Sequence, residues 1–374
     1  MATFRSPFIE RRPRSRRGAV ATLIVALALL AAACSDSGDT TTTAAAATST
    51  TAVAATTTVA GETTTTVAEA LGTVGFSFGN ETAGIYPIVA LPARQYAEDH
   101  GYEFVEGAAN GDCDAQVRDI ENMISQGVQG ITMLPLCGVD PLLPVIQQAK
   151  DAGVYVVGYS TAVPGGDAAI IYDNVGGGEL ISNEAIRWYN EDFTGDTADF
   201  SWALFTFDQC GRACTDRTDT IRDILTEAFG VAPVEAEAVD EATGLTATET
   251  FLQADPGLNM VIGINDAGAL GAYQAFVNQI ESEGRDPGEI FVGGMDGQNE
   301  ALVLIAEGGG PHGIYRASSA LILDQLGRAV AALPINLIEG QPAISLLLNY
   351  ELVTPADTAR AQEIVDTYNE LTGG

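Results

Sequence analysis

Lysine is almost missing from this chain: Lys150 is the only one in 374 residues. Arginine does not make up the shortfall, since 17 basic side chains stand against 50 acidic ones, for a net charge of −33. So acidic a surface repels phosphate backbones and anionic headgroups, which sets aside nucleic acid and anionic membranes as binding partners. Histidine is nearly as scarce, with His100 and His312 alone. That excludes HExxH metal chemistry, and a zinc site would have to draw on distant residues because no paired CxxC framework exists. The triple glycines at 176–178 and 308–310 lack the Gly-Lys-Ser/Thr of a phosphate loop, and no GxGxxG lies between the first strand and helix. No carboxylate pair is singled out among so many acids. These absences point away from an enzyme, and no metal or cofactor is expected.

What positive charge there is gathers at the front. Arg5, Arg11, Arg12, Arg14, Arg16 and Arg17 precede the uncharged run AVATLIVALALLAAAC, residues 19–34. The run is short for a membrane span and closes on small residues, as a secretory signal does. Cys34 directly follows three alanines, which resembles the lipobox of bacterial lipoproteins, although Ala31 stands where leucine is usual. The resemblance implies a signal peptide over 1–33, lipidation of Cys34, and membrane attachment through that anchor only. A plain signal peptide with an incidental cysteine is the competing reading. SRRGAV, residues 15–20, lacks the bulky apolar residues expected after a twin-arginine pair, so the export route stays open. Residues 34–72, nearly all Thr, Ala, Ser and Val, bury too little apolar surface to offset ordering and read as a flexible tether. Without residues 1–33 the chain keeps 11 basic and 49 acidic side chains, a net charge of −38.

Cysteine is sparse as well. Beyond Cys34 there are Cys113, Cys137, Cys210 and Cys214, an even number in an oxidising compartment. Cys113 and Cys137 each lie just past an apolar strand-like run. Disulfides 113–137 and 210–214 are the expectation, with no metal and no redox cycle.

From residue 73 onward short apolar runs alternate with helix-length amphipathic ones. TVGFSF (73–78), YEFVE (102–106), GITML (130–134) and VYVVGY (154–159) read as strands, with helices over 87–101, 114–127 and 141–153 between them. The alternation resumes with SWALFTF (201–207), a helix from about Arg217, VEAEAV (234–239), a helix over 245–254, MVIGI (260–264), a helix from Gly268, and IFVGGM (290–295). Repeated strand–helix units specify parallel sheets covered by helices. The predicted fold is α/β: two similar three-layer lobes with open, mainly parallel sheets. In such sheets ligands bind beyond the carboxyl ends of the strands.

The order and spacing of DAQVRDIENMISQGVQGITMLP (114–135), DNVGGGEL (173–180), LQADPGLNMVIGINDAGALGAYQAF (252–276), VGGMDG (292–297) and YELVTP (350–355) resemble the type I periplasmic solute-binding proteins, in their ribose/galactose-type branch. The resemblance implies two lobes joined by a multi-crossing hinge, one of 73–173 with 317–347 and the other of 174–316 with 348–374. It implies a sugar or polyol solute taken in the interlobe cleft by hinge closure, ABC permease partners, a monomer, and residence at the outer face of the membrane or in the periplasm. A sensory receptor with the same fold is the alternative. The site it implies comprises Asn80, Thr82 and Tyr86 in the first loop, Ser160 and Thr161, Arg217, Asn265 and Asp266, Asp296 and Arg316. By chemistry, Asp296 ends an apolar strand and can accept from two hydroxyls, Arg217 offers a fork of donors, and Asp266 can cap the helix that follows it. Ser160 and Thr161 replace the usual Asp-Arg, Val239 replaces an aromatic, and Arg316 replaces a late hinge glutamine. These departures imply a polyol, a modified sugar or a sugar acid.

Overall fold

The computed structural model describes residues 70–79, 86–136, 138–208 and 211–372. The expected signal segment, Cys34, most of the tether, Asn80, Thr82, Cys137 and Cys210 lie outside them. The first series of elements is β1 (Gly72–Phe78), α1 (Tyr86–Asp99), β2 (Tyr102–Ala108), α2 (Cys113–Ser125), β3 (Gly130–Met133), α3 (Leu143–Asp151), β4 (Tyr155–Ser160) and β5 (Ala168–Tyr172). The second is α4 (Asn174–Glu191), β6 (Trp202–Thr206), α5 (Arg212–Phe229), β7 (Val234–Glu237), α6 (Glu241–Ala254), β8 (Met260–Ile262), α7 (Asp266–Glu283), β9 (Phe291–Asp296), α8 (Asn299–Ala306) and β10 (Tyr315–Ala320). The chain ends with α9 (Leu323–Ile338), β11 (Leu346–Leu348), β12 (Glu351–Val353) and α10 (Thr358–Thr372).

The strands form two sheets, ordered β2-β1-β3-β4-β5-β11 and β7-β6-β8-β9-β10-β12. The first is parallel throughout, and the second is parallel except where β12 runs against β10. A parallel sheet needs helices on both faces, so its strands read as unbroken apolar runs. β6, WALFT, is buried at every position, and β9 at all but its last, Asp296. Some helix starts follow side-chain caps: Asp112 accepts from two amides of α2, and Asp240 makes a capping box with Thr243 on α6.

The chain crosses between the sheets at residues 173–174, 321–322 and 349–350. The middle crossing falls later than the expected 316/317 boundary. β10 stays hydrogen-bonded to β9 through Ala320, so 317–320 belong with the second sheet, and Leu348 pairs with Tyr172 in the first. The helix expected from Arg217 also begins earlier, at Arg212, because Gly211 takes φ +65° and turns the chain into it. Cys214 therefore sits in the first turn of α5. Cys113 and Cys214 are each disulfide-bonded. Among the described residues no helix is long and apolar enough to cross a membrane, and no group of three or more metal-ligating side chains forms.

The triple glycine of α4 has a steric cause. A Cβ on Gly177 would stand 2.6 Å from the Tyr350 ring and 2.7 Å from Met295 Cε, and one on Gly178 3.1 Å from the Arg217 carbonyl. The helix lies against the third crossing and against α5 with no room for a methyl group. Alanine normally stabilises a helix over glycine by about 1 kcal/mol. Here the sign is expected to reverse: Gly177→Ala lowers stability by about 1–3 kcal/mol through overpacking, read by urea denaturation. A stabilised variant would refute this account of the motif.

Candidate functional site

The carboxyl ends of β8 and β9 and two of the three crossings converge on one guanidinium. Arg217 lies in the second turn of α5, 7% exposed. Its Nε donates to Asn174 Oδ1 at 2.7 Å, its Nη1 to the Ile264 carbonyl at 3.2 Å, and its Nη2 to Tyr350 Oη at 2.5 Å. Its Nη1 also forms an ion pair with Asp296 Oδ1 at 2.8 Å. Asn174 belongs to the first crossing and Tyr350 to the third, and Tyr350 Oη donates in turn to Asn174 Oδ1 at 3.1 Å. Burial alone lowers the pKa of this group, but Asp296 and Tyr350 more than offset it, and the arginine stays charged.

From Tyr350 a run of rings leads into the first lobe. Tyr350 meets Tyr172 edge-on at 6.5 Å, Tyr172 meets Tyr159 at 5.7 Å, Tyr159 meets Phe76 at 5.5 Å, and Phe76 stacks on Phe78 at 5.1 Å. These rings line the route from the hinge to the carboxyl end of β1. Tyr86 stands at the first position of α1, just after the first loop. Ser160 ends β4 at φ +65°, with Thr161 next to it, both half-buried. Gly158 makes that turn possible, since a Cβ there would lie 2.1 Å from the Thr161 carbonyl.

Asp296 is the open end of the cluster. It closes β9 in the left-handed region, at φ +94°, and its side chain is 20% exposed against 9% for Arg217. One edge of the carboxylate is engaged by the arginine, and the group borders the space beyond the strand ends.

Three expected site residues have other work. Asn265, not Asp266, caps α7: its Oδ1 accepts from Gly268 N at 2.9 Å and its Nδ2 donates to the Val239 carbonyl at 2.9 Å. Both ends of the amide serve the fold. Asp266 is fully buried and accepts from Gly297 N, Gln298 N, Tyr315 Oη and Ser318 Oγ, all at 2.8–2.9 Å, so no part of it faces the cleft. Arg316 lies at the wrong end of its strand. It donates to the carbonyls of Ile290 at 2.6 Å and Pro287 at 2.9 Å, before β9 starts, and its guanidinium covers the Trp188 ring at 5.3 Å. Four residues of strand, about 13 Å, separate it from the level of Asp296. Burial brings its pKa down to about 10. The hinge position taken for Arg316 belongs instead to 321–322, where Leu321 is buried and apolar.

Two functional residues lacked an assigned role in the sequence. Asn174 was visible as part of the first crossing, and Tyr350 as the start of YELVTP. Neither announces a bond to an arginine 43 or 133 residues away.

Burial pushes Asp266 up to about 7, from an ordinary 3.8, and its hydrogen-bond donors restrain the rise. The folded protein thus keeps a proton that the unfolded chain releases from about pH 4 upward. The stability this proton contributes is present at low pH and lost as pH rises toward 7, at about 1.4 kcal/mol per pH unit. Asp266→Asn keeps an acceptor for the amides and cannot ionise. Urea denaturation at pH 5 and pH 7.5 is expected to find the variant gaining about 2–3 kcal/mol relative to the unaltered protein between the two. An unchanged difference places the carboxyl in its ordinary range.

The comparisons with known proteins agree with this geometry. A profile described as a periplasmic binding protein domain matches residues 88–342. A ribose import binding protein of Bacillus subtilis is 27% identical over 251 residues, 63% of this chain and 73% of its own. A D-xylose-binding periplasmic protein of Escherichia coli is 27% identical over 289 residues, 72% of this chain and 81% of its own. A solved ABC transporter solute-binding protein from Bacillus halodurans, with bound myo-inositol, superposes with a TM-score of 0.68 at 21% identity, covering 80% of this chain and all of that one, which is a likeness of fold. With two mainly parallel sheets meeting at a three-crossing hinge and a family match over residues 88–342, the chain belongs to the periplasmic binding protein family.

Proposed function

We propose that this chain is the extracytoplasmic solute-binding lipoprotein of an ABC importer and that it takes a neutral sugar or polyol between its two lobes. The Arg217–Asp296 pair carries the reading. It lies at the carboxyl ends of the second sheet, beside the crossings, and its two charges cancel. Asp296 has an edge free to accept from adjacent hydroxyls. Arg217 has one Nη2 N–H beyond the four bonds it makes to protein groups. With Arg316 removed from the site, no surplus cation remains among the described cleft residues to select a sugar acid. The curated relatives named above bind ribose and D-xylose, and the solved relative holds myo-inositol, which supports the same class here. Asn80, Thr82, Tyr86, Ser160 and Thr161 complete the cleft from the first lobe in this reading.

Solute binding favours a closed arrangement of the lobes, and a permease would recognise that arrangement. Cys34 anchors the protein by lipid at the outer face of the membrane, with residues 34–72 as tether. Disulfides 113–137 and 210–214 form on export, the second closing the start of α5 ahead of Arg217. Nothing in the site favours a sensory role over import.

Thermal-shift measurements with D-ribose, D-xylose, myo-inositol, glycerol and D-gluconate test the class. A neutral solute at a hundredfold its Kd adds about 2.7 kcal/mol and raises Tm by about 5 °C. Asp296→Asn is expected to weaken that solute 10- to 100-fold, the value of one or two charge-assisted bonds. A shift with gluconate alone sinks the neutral-solute reading.

A further inference from the structure

Asp296 sits where residues other than glycine seldom sit. Its φ is +94°, and Gly297 follows at +77°. A non-glycine residue in that region is strained and persists only where its surroundings hold it. The surroundings here are specific. Asp266 Oδ2 accepts from the backbone N–H of Gly297 at 2.8 Å and of Gln298 at 2.9 Å, the two residues directly after Asp296. Ser318 Oγ donates to the same oxygen at 2.8 Å, and Tyr315 Oη donates to Oδ1 at 2.8 Å, so two side chains of β10 fix the carboxylate. Gly294 leaves the room for it: a Cβ there would stand 2.4 Å from Asp266 Oδ1. From α10, Tyr368 Oη donates to the Gly297 carbonyl at 3.3 Å and holds the turn from its other side.

We infer that Asp266 is the positioning residue of the cleft: by gripping the Gly297 and Gln298 amides it sets the turn that aims the Asp296 carboxylate at Arg217 and at the solute. It is fully buried and hydrogen-bonds to neither Arg217 nor the Asp296 side chain, so its grip on the geometry of the site passes through the backbone. The arrangement joins α7, the β9–α8 turn and β10, the last strand before the middle crossing, in one buried cage. The part that concerns solute rests on the proposed function, whereas the part that concerns Asp296 does not.

Crystal structures and isothermal titration of Asp266→Ala and Asp266→Asn decide it, with D-ribose, D-xylose and myo-inositol as probes. In the alanine variant Asp296 is expected to leave the left-handed region and to separate from Arg217. Affinity for whichever probe binds the unaltered protein is expected to fall at least tenfold. The asparagine variant, whose side-chain oxygen can still accept from both amides, is expected to restore the Asp296 geometry and most of the affinity. A merely structural role would lower the melting temperature of the alanine variant and leave Asp296 in place, which overturns the inference. If the alanine variant does not fold, Asp266→Glu drives the carboxylate one methylene further into the two amides and must displace Asp296. An undisturbed Asp296 in that variant equally overturns it. If none of the three probes binds the unaltered protein, the solute reading fails by itself, and the Asp296 conformation still settles the positioning role.

Discussion

A guanidinium taken out of water must find a partner for its donors and a match for its charge, or the burial costs several kcal/mol. Arg217 meets that demand with Asn174, the Ile264 carbonyl, Tyr350 and Asp296. The partners come from the first crossing, the end of β8, the third crossing and the end of β9. Those segments are tied to one another because all are tied to the same planar fork. Such a buried cluster adds little net stability over well-packed apolar residues, but leaving any member unpaired is expensive. Its effect is to tie the first and third crossings to the ends of β8 and β9.

The packing around it follows from the same constraint. Tyr350 can reach both Arg217 and Asn174 only if α4 comes close, and α4 comes close only because Gly177 and Gly178 carry no side chain there. A triple glycine that resembles the start of a phosphate loop is thereby a helix surface planed flat for a ring and a neighbouring helix. The same lobe repeats the device between α6 and α7, where a Cβ on Gly244 would lie 2.1 Å from the Gly268 carbonyl. In both places a bare helix backbone lets its neighbour approach closely, which fixes helix position tightly.

Much of the fold was legible in the sequence because its signals are local. Strand–helix alternation, apolar strands and capping residues each depend on neighbours a few positions away, and the two parallel sheets follow from them. Asp296 was legible for the same reason, as a lone carboxylate closing an apolar run. The misreadings came where a residue's partner is remote. Arg316 lies near a crossing in sequence, yet strand pairing continues through Ala320 and leaves its side chain at the amino end of the sheet, on the carbonyls of Ile290 and Pro287. Asn265 has the capping role expected of Asp266, because only the structure shows which of two adjacent polar residues starts the helix and which is buried against β10.

The sequence by itself determined the architecture, the scarcity of catalytic and metal-binding side chains, and the residue types that stand at the strand ends, since composition and periodicity are properties of the chain before it folds. Tertiary structure alone decided which polar groups remain open to the cleft. A buried donor or acceptor is used up by whatever the fold places beside it. For Asp266 that is two amides and two hydroxyls, for Arg316 two carbonyls, and for Arg217 a carboxylate that still has an edge to offer.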